Sequence, residues 1–492
     1  MTYSIRLLFI LPVFALKLLA DPILSSWFTE HSGQYARIYE TSADESALNP
    51  VTTWSHPNNG SGQALPTYAG VHEIAYTDTN VYIRTSGLGF HVMGPWYLDE
   101  ERTNLFPNYP SNTSTIFRFP RVPGTPPISK TATGNGTIGY FVDGIGMFDS
   151  RDAFSYSNAN EGDARPNSDF TGDGIWNRDA YINESVTFDS AHAHQAGINH
   201  HYHANPPALR HLIGDSVDYD ASTNTYTENF NGQHSPIMGW VRDGYPIYGP
   251  YGYDDPDDTY STVRRMITGY TTRDGSNGTT NLNDTGRVSL PYWAAVVKEI
   301  NTVLTTDEYG PTVSAMYPLG HYIEDYDYLG HLGFTLGTDF DLDEHNGRFC
   351  KTPEYPDGIY AYFVSIDALG TPIYPYNIGR TFYGSPTGAE VNSLPATAEI
   401  YFEGGPEAMP SIESLEVEAS TGDVTLTWSG PEGGTYLIEH SADLEEWKML
   451  SDTAENELGS LGSTSDLARV LHEVKQFYRS SLTAIEAFDD EG

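Results

Sequence analysis

His192-Ala193-His194-Gln195-Ala196-Gly197-Ile198-Asn199-His200-His201-Tyr202-His203 is the stretch from which the fold of this chain is read. It carries two His-x-His pairs, His192/His194 and His201/His203, on either side of Gly197-Ile198. Residues two apart on a strand point to the same face. Glycine in the first place of a two-residue loop suits a type II′ turn, the tight connection between antiparallel strands. Such a hairpin sets His194 opposite His201 and His192 opposite His203. Four imidazoles then share one face, with cross-strand neighbours about 5 Å apart. That spacing suits zinc or copper, both of which favour imidazole nitrogen. The same alternation turns His200 to the other face, where it reads as a bystander. His211 follows a proline pair and is open to either a ligand or an ordinary hydrogen-bonded role.

Working outward, residues 192–234 hold seven of the sixteen histidines, because His211 and His234 join those of the hairpin. Apolar alternation predicts strands at Val81-Tyr82-Ile83-Arg84, Ile116-Phe117-Arg118-Phe119 and Ile138-Gly139-Tyr140-Phe141-Val142, and again over residues 359–364. A helix is expected over Pro291 to Val303, where Trp293, Val296, Val297 and Ile300 recur at helical spacing. With 47 glycines, 31 prolines and 35 tyrosines, the composition is that of a loop-rich β protein. A boundary is expected near residue 405, at Gly404-Gly405-Pro406. The expected fold is mainly β: a large loop-rich β domain over residues 21–405, then a small β-sandwich module over 406–492.

Residues 1–20 pair Arg6 with an apolar run from Leu7 to Leu19, broken by Lys17, and read as a signal peptide. The other reading is an N-terminal membrane anchor; no later stretch is apolar enough to span a bilayer. A secreted or periplasmic location is expected. The formal charge of −41 repels nucleic acid and anionic membranes and attracts divalent cations. One cysteine, Cys350, excludes a disulfide framework.

His200-His201-Tyr202-His203-Ala204-Asn205-Pro206 resembles the motif that names the YHYH domain family, with histidine in place of the first tyrosine. Gln233-His234-Ser235-Pro236-Ile237-Met238-Gly239-Trp240, running on to Asp243-Gly244-Tyr245-Pro246-Ile247-Tyr248-Gly249-Pro250, resembles a second block of that family. Leu342-Asp343-Glu344-His345-Asn346-Gly347-Arg348 with Thr352-Pro353-Glu354-Tyr355-Pro356-Asp357-Gly358 resembles a third. The resemblance spans roughly residues 65–385. It implies that His201 and His203 are the motif histidines, that His192 answers to the histidine before the motif, and that His234 joins them. It supplies a domain identity and no activity. The C-terminal segment, through Tyr436-Leu437-Ile438-Glu439, Asp443-Leu444-Glu445-Glu446-Trp447 and Phe477-Tyr478-Arg479, is similar to fibronectin-type-III-like modules of secreted bacterial proteins. That likeness implies a spacer, docking or sorting element.

Spacing and resemblance together predict a metal set of His192, His194, His201, His203 and His234, with Tyr202, Asp243, His345 and Arg348 around it as orienting groups. Calcium is a second expected cofactor. Asp169, Thr171, Asp173 and Asn177 occupy the oxygen positions of an EF-hand-type loop with Gly174 at its turn, although Ala180 stands where the bidentate acid belongs. Asp339, Asp341 and Asp343 alternate as on one strand face and read as solvated acids or calcium ligands. No nucleophile elbow and no phosphate-binding glycine loop occur. The expected function is a secreted protein with a histidine-rich copper or zinc site and no assigned activity, with a metal-dependent hydrolase or oxidoreductase as its enzymatic form. The alternative is a non-catalytic binder that holds an extracellular glycan or cell-surface component, or stores or senses metal. A closed four-histidine site favours storage; three histidines with an open face favour catalysis. Because imidazole must be neutral to ligate, affinity is expected to fall below about pH 6.5.

Overall fold

The structure is a computed structural model that describes residues 21–165, 172–407, and beyond these the strands and short connections between 411 and 485. Residues 1–20, expected as a signal peptide, and the first two residues of the expected calcium loop, Asp169 and Thr171, lie outside the described residues. The chain is mainly β, as its composition predicts. Among the described residues no helix is long and apolar enough to cross a membrane.

Eight strands form the sheet that carries the histidine hairpin. In chain order they are β1 (Thr137–Phe141), β2 (Gly146–Phe148), β3 (Ala193–Ala196), β4 (Asn199–Tyr202), β5 (Ile237–Val241), β6 (Pro246–Tyr248), β7 (Gly347–Cys350) and β8 (Ile359–Phe363). Across the sheet the order is β3-β4-β2-β1-β5-β6-β8-β7. Every residue of β5 and β6 is buried. Such unbroken apolar runs are expected of strands covered on both faces. Phe141, Met147, Trp240, Ile247 and Tyr362 join one core.

This order is a duplication. The β1–β2 hairpin pairs Thr137 with Phe148, Gly139 with Met147 and Tyr140 with Gly146. The β5–β6 hairpin pairs Ile237 with Tyr248, Gly239 with Ile247 and Trp240 with Pro246, with the irregularity in the same place. Each register is the other displaced by 100 residues. Both turns are Asp-Gly, and Gly144 and Gly244 take left-handed φ values of 85° and 86°. Each first hairpin then pairs in parallel with the second strand of a second hairpin: β2 with β4, β6 with β8. In those hairpins Ala193 faces Tyr202 and Gly347 faces Tyr362. Tyr140 opposite Trp240 marks the local dyad between the halves.

The strand expected at Val81–Arg84 lies within residues 80–85, and that at Ile116–Phe119 within residues 115–120; both belong to a separate five-stranded sheet. The expected helix at 291–303 is shorter, Tyr292–Lys298. Glu299 takes a left-handed φ of 56° and ends it, and Val303 pairs instead with Ser289. Beyond residue 410, strands Ser411–Val417, Val424–Ser429 and Leu461–Asp466 form one antiparallel sheet, and Gly434–Ser441, Lys448–Glu455 and Phe477–Ile485 another. The expected Asp443–Trp447 turn lies outside the described residues.

Candidate metal centre

The β3–β4 hairpin has the register its sequence predicts. His194 faces His201, and Gly197 takes a φ of 65° at the turn while Ile198 is not left-handed. His203 follows β4 by one residue and stays on the same face. The ligand atoms of His194, His201 and His203 all lie within 4.8 Å of one another, and all three residues are buried. They line a cleft of about 510 Å³ with Phe106, Phe148 and Glu184. The His201 ring stacks on Phe148 at 3.8 Å, which fixes its plane.

Each ring has its Nδ1 committed to an oxygen. His201 Nδ1 is 2.9 Å from the Asn199 carbonyl and His203 Nδ1 is 2.7 Å from the Asp149 carbonyl. A carbonyl only accepts, so both Nδ1 atoms carry hydrogen. His194 Nδ1 is 2.7 Å from Thr187 Oγ1, whose own hydrogen goes to the Glu184 carbonyl. The third Nδ1 therefore also donates. In three neutral rings the Nε2 lone pairs are left to converge. His201 Nε2 and His203 Nε2 stand 3.1 Å apart, two lone pairs face to face. A cation would relieve that contact: tetrahedral coordination with zinc–nitrogen bonds of about 2.0–2.1 Å sets ligand nitrogens about 3.3 Å apart.

Burial lowers His194 and His201 well below the ordinary imidazole value and takes His203 down to about 4. Burial thus favours the neutral form of all three rings. Glu184 approaches from the end of α1 (Ala180–Glu184), whose first turn is capped by Asp179 accepting from the Ile182 amide. Its Oε2 is 3.4 Å from His203 Nε2 and 3.7 Å from His194 Nε2. Burial and the neighbouring Asp152 carboxylate push Glu184 up to about 8. A cation among the rings would oppose that shift.

The structure does not bring the other two predicted ligands to this group. The Asp189 carboxylate accepts from the Ala191 and Ala193 amides and the Asp189 carbonyl from the His192 amide. This tight turn puts His192 at a φ of 64°, off the strand. Its ring instead bonds the Asn205 carbonyl and lines a different cavity with Tyr181 and Tyr226. His234 packs on Tyr248, Tyr253 and Phe363, beside β6 and β8. Four strand spacings separate β4 from β6, roughly 19 Å at about 4.8 Å each.

The expected orienting groups also lie elsewhere. Asp243 accepts from Tyr362 at 2.6 Å and from the Gly384 amide at 2.9 Å. His345 bonds Thr381, and Arg348 donates to the Tyr253 carbonyl. Tyr202 points away from His201 and donates to Asp143. Of the calcium-loop residues, Asp173 accepts from Asn158, and Asn177 is held by Glu324. Asp341 pairs with Arg264, Asp339 accepts from the Thr335 amide and Asp343 caps a turn, so the three do not share a strand face. Glu184 and Thr187 are not among the residues expected from the sequence. Neither lies at a ligand spacing from the hairpin, and only the fold of residues 180–188 delivers them.

A mainly β protein with three convergent histidines at a cleft is the class these features define. The family model described as YHYH protein matches residues 116–374, more than half of the chain, and the chain belongs to that family. No curated protein and no solved structure matches it.

Proposed function

We propose that His194, His201 and His203 hold a divalent zinc or copper ion and that the cleft is the active site of a metal-dependent, water-activating enzyme. The observation that carries this reading is the pair of Nε2 lone pairs 3.1 Å apart, in rings whose Nδ1 atoms are both occupied. Three imidazoles leave a coordination position toward the cleft, and a bound ion supplies a water of lowered pKa there. Glu184, within 4 Å of two of the Nε2 atoms, is placed to take the proton from that water. Phe106, Phe148 and Phe154 give the cleft apolar walls, with Asn108, Asn135 and Arg151 as polar groups for a substrate. Export through residues 1–20, a domain boundary near residue 405 and a fibronectin-like role for the C-terminal strands belong to the same proposal. Two antiparallel three-stranded sheets support the last of these.

The test is metal loading followed by hydrolysis of small chromogenic esters. The wild type should bind metal at the cleft and turn over. Glu184→Gln should keep the metal within about threefold in affinity and lose 10²–10⁴-fold in turnover, the range for a general base. Full metal occupancy without turnover would favour storage or sensing. No metal in the cleft would end both readings.

A further inference from the structure

The opposite face of the same hairpin carries a second cluster. His200, in β4, points into the core toward His91 and Asp189, and the ligand atoms of these three residues also lie within 4.8 Å of one another. His200 is fully buried, and His91 and Asp189 nearly so. Among the described residues, neither ring nitrogen of His91 and neither of His200 has a hydrogen-bond partner. The His194 carbonyl exerts some pull on His200 without meeting hydrogen-bond geometry. Four orphaned imidazole nitrogens in one core pocket are costly, because each gives up its hydrogen bonds to water on burial and gains none in return. Buried polar groups are nearly always partnered by protein, water or ion.

The duplicated half shows what this place looks like when it is satisfied. Asp189 corresponds to Asp343: each accepts from the amides two and four residues on. His200 corresponds to Tyr360, since they face Gln195 and Phe349 at equivalent rungs. There the Tyr360 hydroxyl donates to Asp343 at 2.8 Å, and Lys130 adds positive charge. Among the described residues, the hydrogen bonds to the Asp189 carboxylate come from backbone amides, with no hydroxyl donor.

We propose that His91, His200 and Asp189 bind a second divalent transition-metal ion, closed off from solvent and structural in role. Two imidazoles and a carboxylate without thiolate suit zinc and its borderline neighbours. The ion supplies positive charge to Asp189 and the partner that both rings lack. It also clamps the segment around His91 onto the hairpin. Asp189 already ties that segment down by accepting from the Gly94 amide at 2.8 Å. Gly89 lies against the His91 ring so closely that a methyl there would meet it at 2.6 Å, so the ring has little room to turn away.

The experiment counts zinc by elemental analysis after loading and desalting, in three proteins. The wild type should hold two equivalents. His200→Tyr, which restores the hydroxyl–carboxylate arrangement of the other half, should hold one. His194→Ala/His203→Ala, which removes the cleft site, should also hold one, and a chelator should extract it only when the protein is unfolded. If the cleft does not bind, the wild type holds one equivalent, the double variant keeps it and His200→Tyr has none; the buried site then stands alone. The proposal is overturned if His200→Tyr binds as much as the wild type, or if the double variant binds nothing. Should His200→Tyr fail to fold, the double variant decides by itself.

Discussion

The two halves of the eight-stranded sheet share one backbone plan and carry different chemistry. In each, an Asp-Gly hairpin is followed by an Asp-capped turn, then by a hairpin whose second strand returns beside the first. Tyr202 donates to Asp143 in one half and Tyr362 to Asp243 in the other. At the outward rungs the halves part company. His194, His201 and His203 occupy the places held by Arg348, Ala361 and Phe363. The same backbone plan therefore serves a half that carries the histidine triad and a half that does not. Even His192 and Asn346, both at a φ of 64°, are the same turn residue in the two halves.

Substitutions at matched positions should separate scaffold from site. The largest effect is expected at Phe363→Ala, which empties a buried aromatic position and should cost about 3–5 kcal/mol in chemical denaturation while leaving metal content unchanged. Its counterpart His203→Ala should do the reverse. Cleft metal should fall below about a tenth of an equivalent, and the melting temperature should lose its metal-dependent increment, because a ligand bound only to the folded state stabilises it. Equal metal content in His203→Ala and wild type would erase the distinction between the halves.

The tyrosine–aspartate bonds test the shared plan. Tyr362→Phe and Tyr202→Phe each leave a buried carboxylate short of a donor, at a cost of about 1–3 kcal/mol. Tyr362→Phe should be the worse, because its bond is 2.6 Å against 3.3 Å. Thr187→Val removes the oxygen that holds His194 Nδ1 and should weaken cleft metal about 10–100-fold by titration.

Acid should act on the site late. His203 has its folded value lowered by burial from 6.5 to about 4, so its contribution to stability is complete above 6.5 and is lost as pH falls toward 4. The gap in melting temperature between metal-free wild type and His203→Ala should therefore narrow across that window. Bound metal should persist to about pH 5, since protons compete for the folded site only near 4. The smallest effect is expected at His211→Ala. That ring bonds the Val217 carbonyl near the surface and touches neither cluster, so metal content should not change.

The β class, several strands and the hairpin register are legible in the amino-acid order alone, because period-two alternation and a glycine-led turn are local properties. That order also contains the duplication, in Asp-Gly turns 100 residues apart, although alternation within one strand does not show it. Which histidines meet depends on long-range packing. His192 leaves the face because Asp189 gathers amides into a left-handed turn, and His234 belongs to the other half of the sheet. Glu184, Thr187 and His91 come from segments with no spacing relation to the motif. Ligand geometry depends on where distant backbone carbonyls, amides and side chains fall around a ring, and long-range packing fixes those positions.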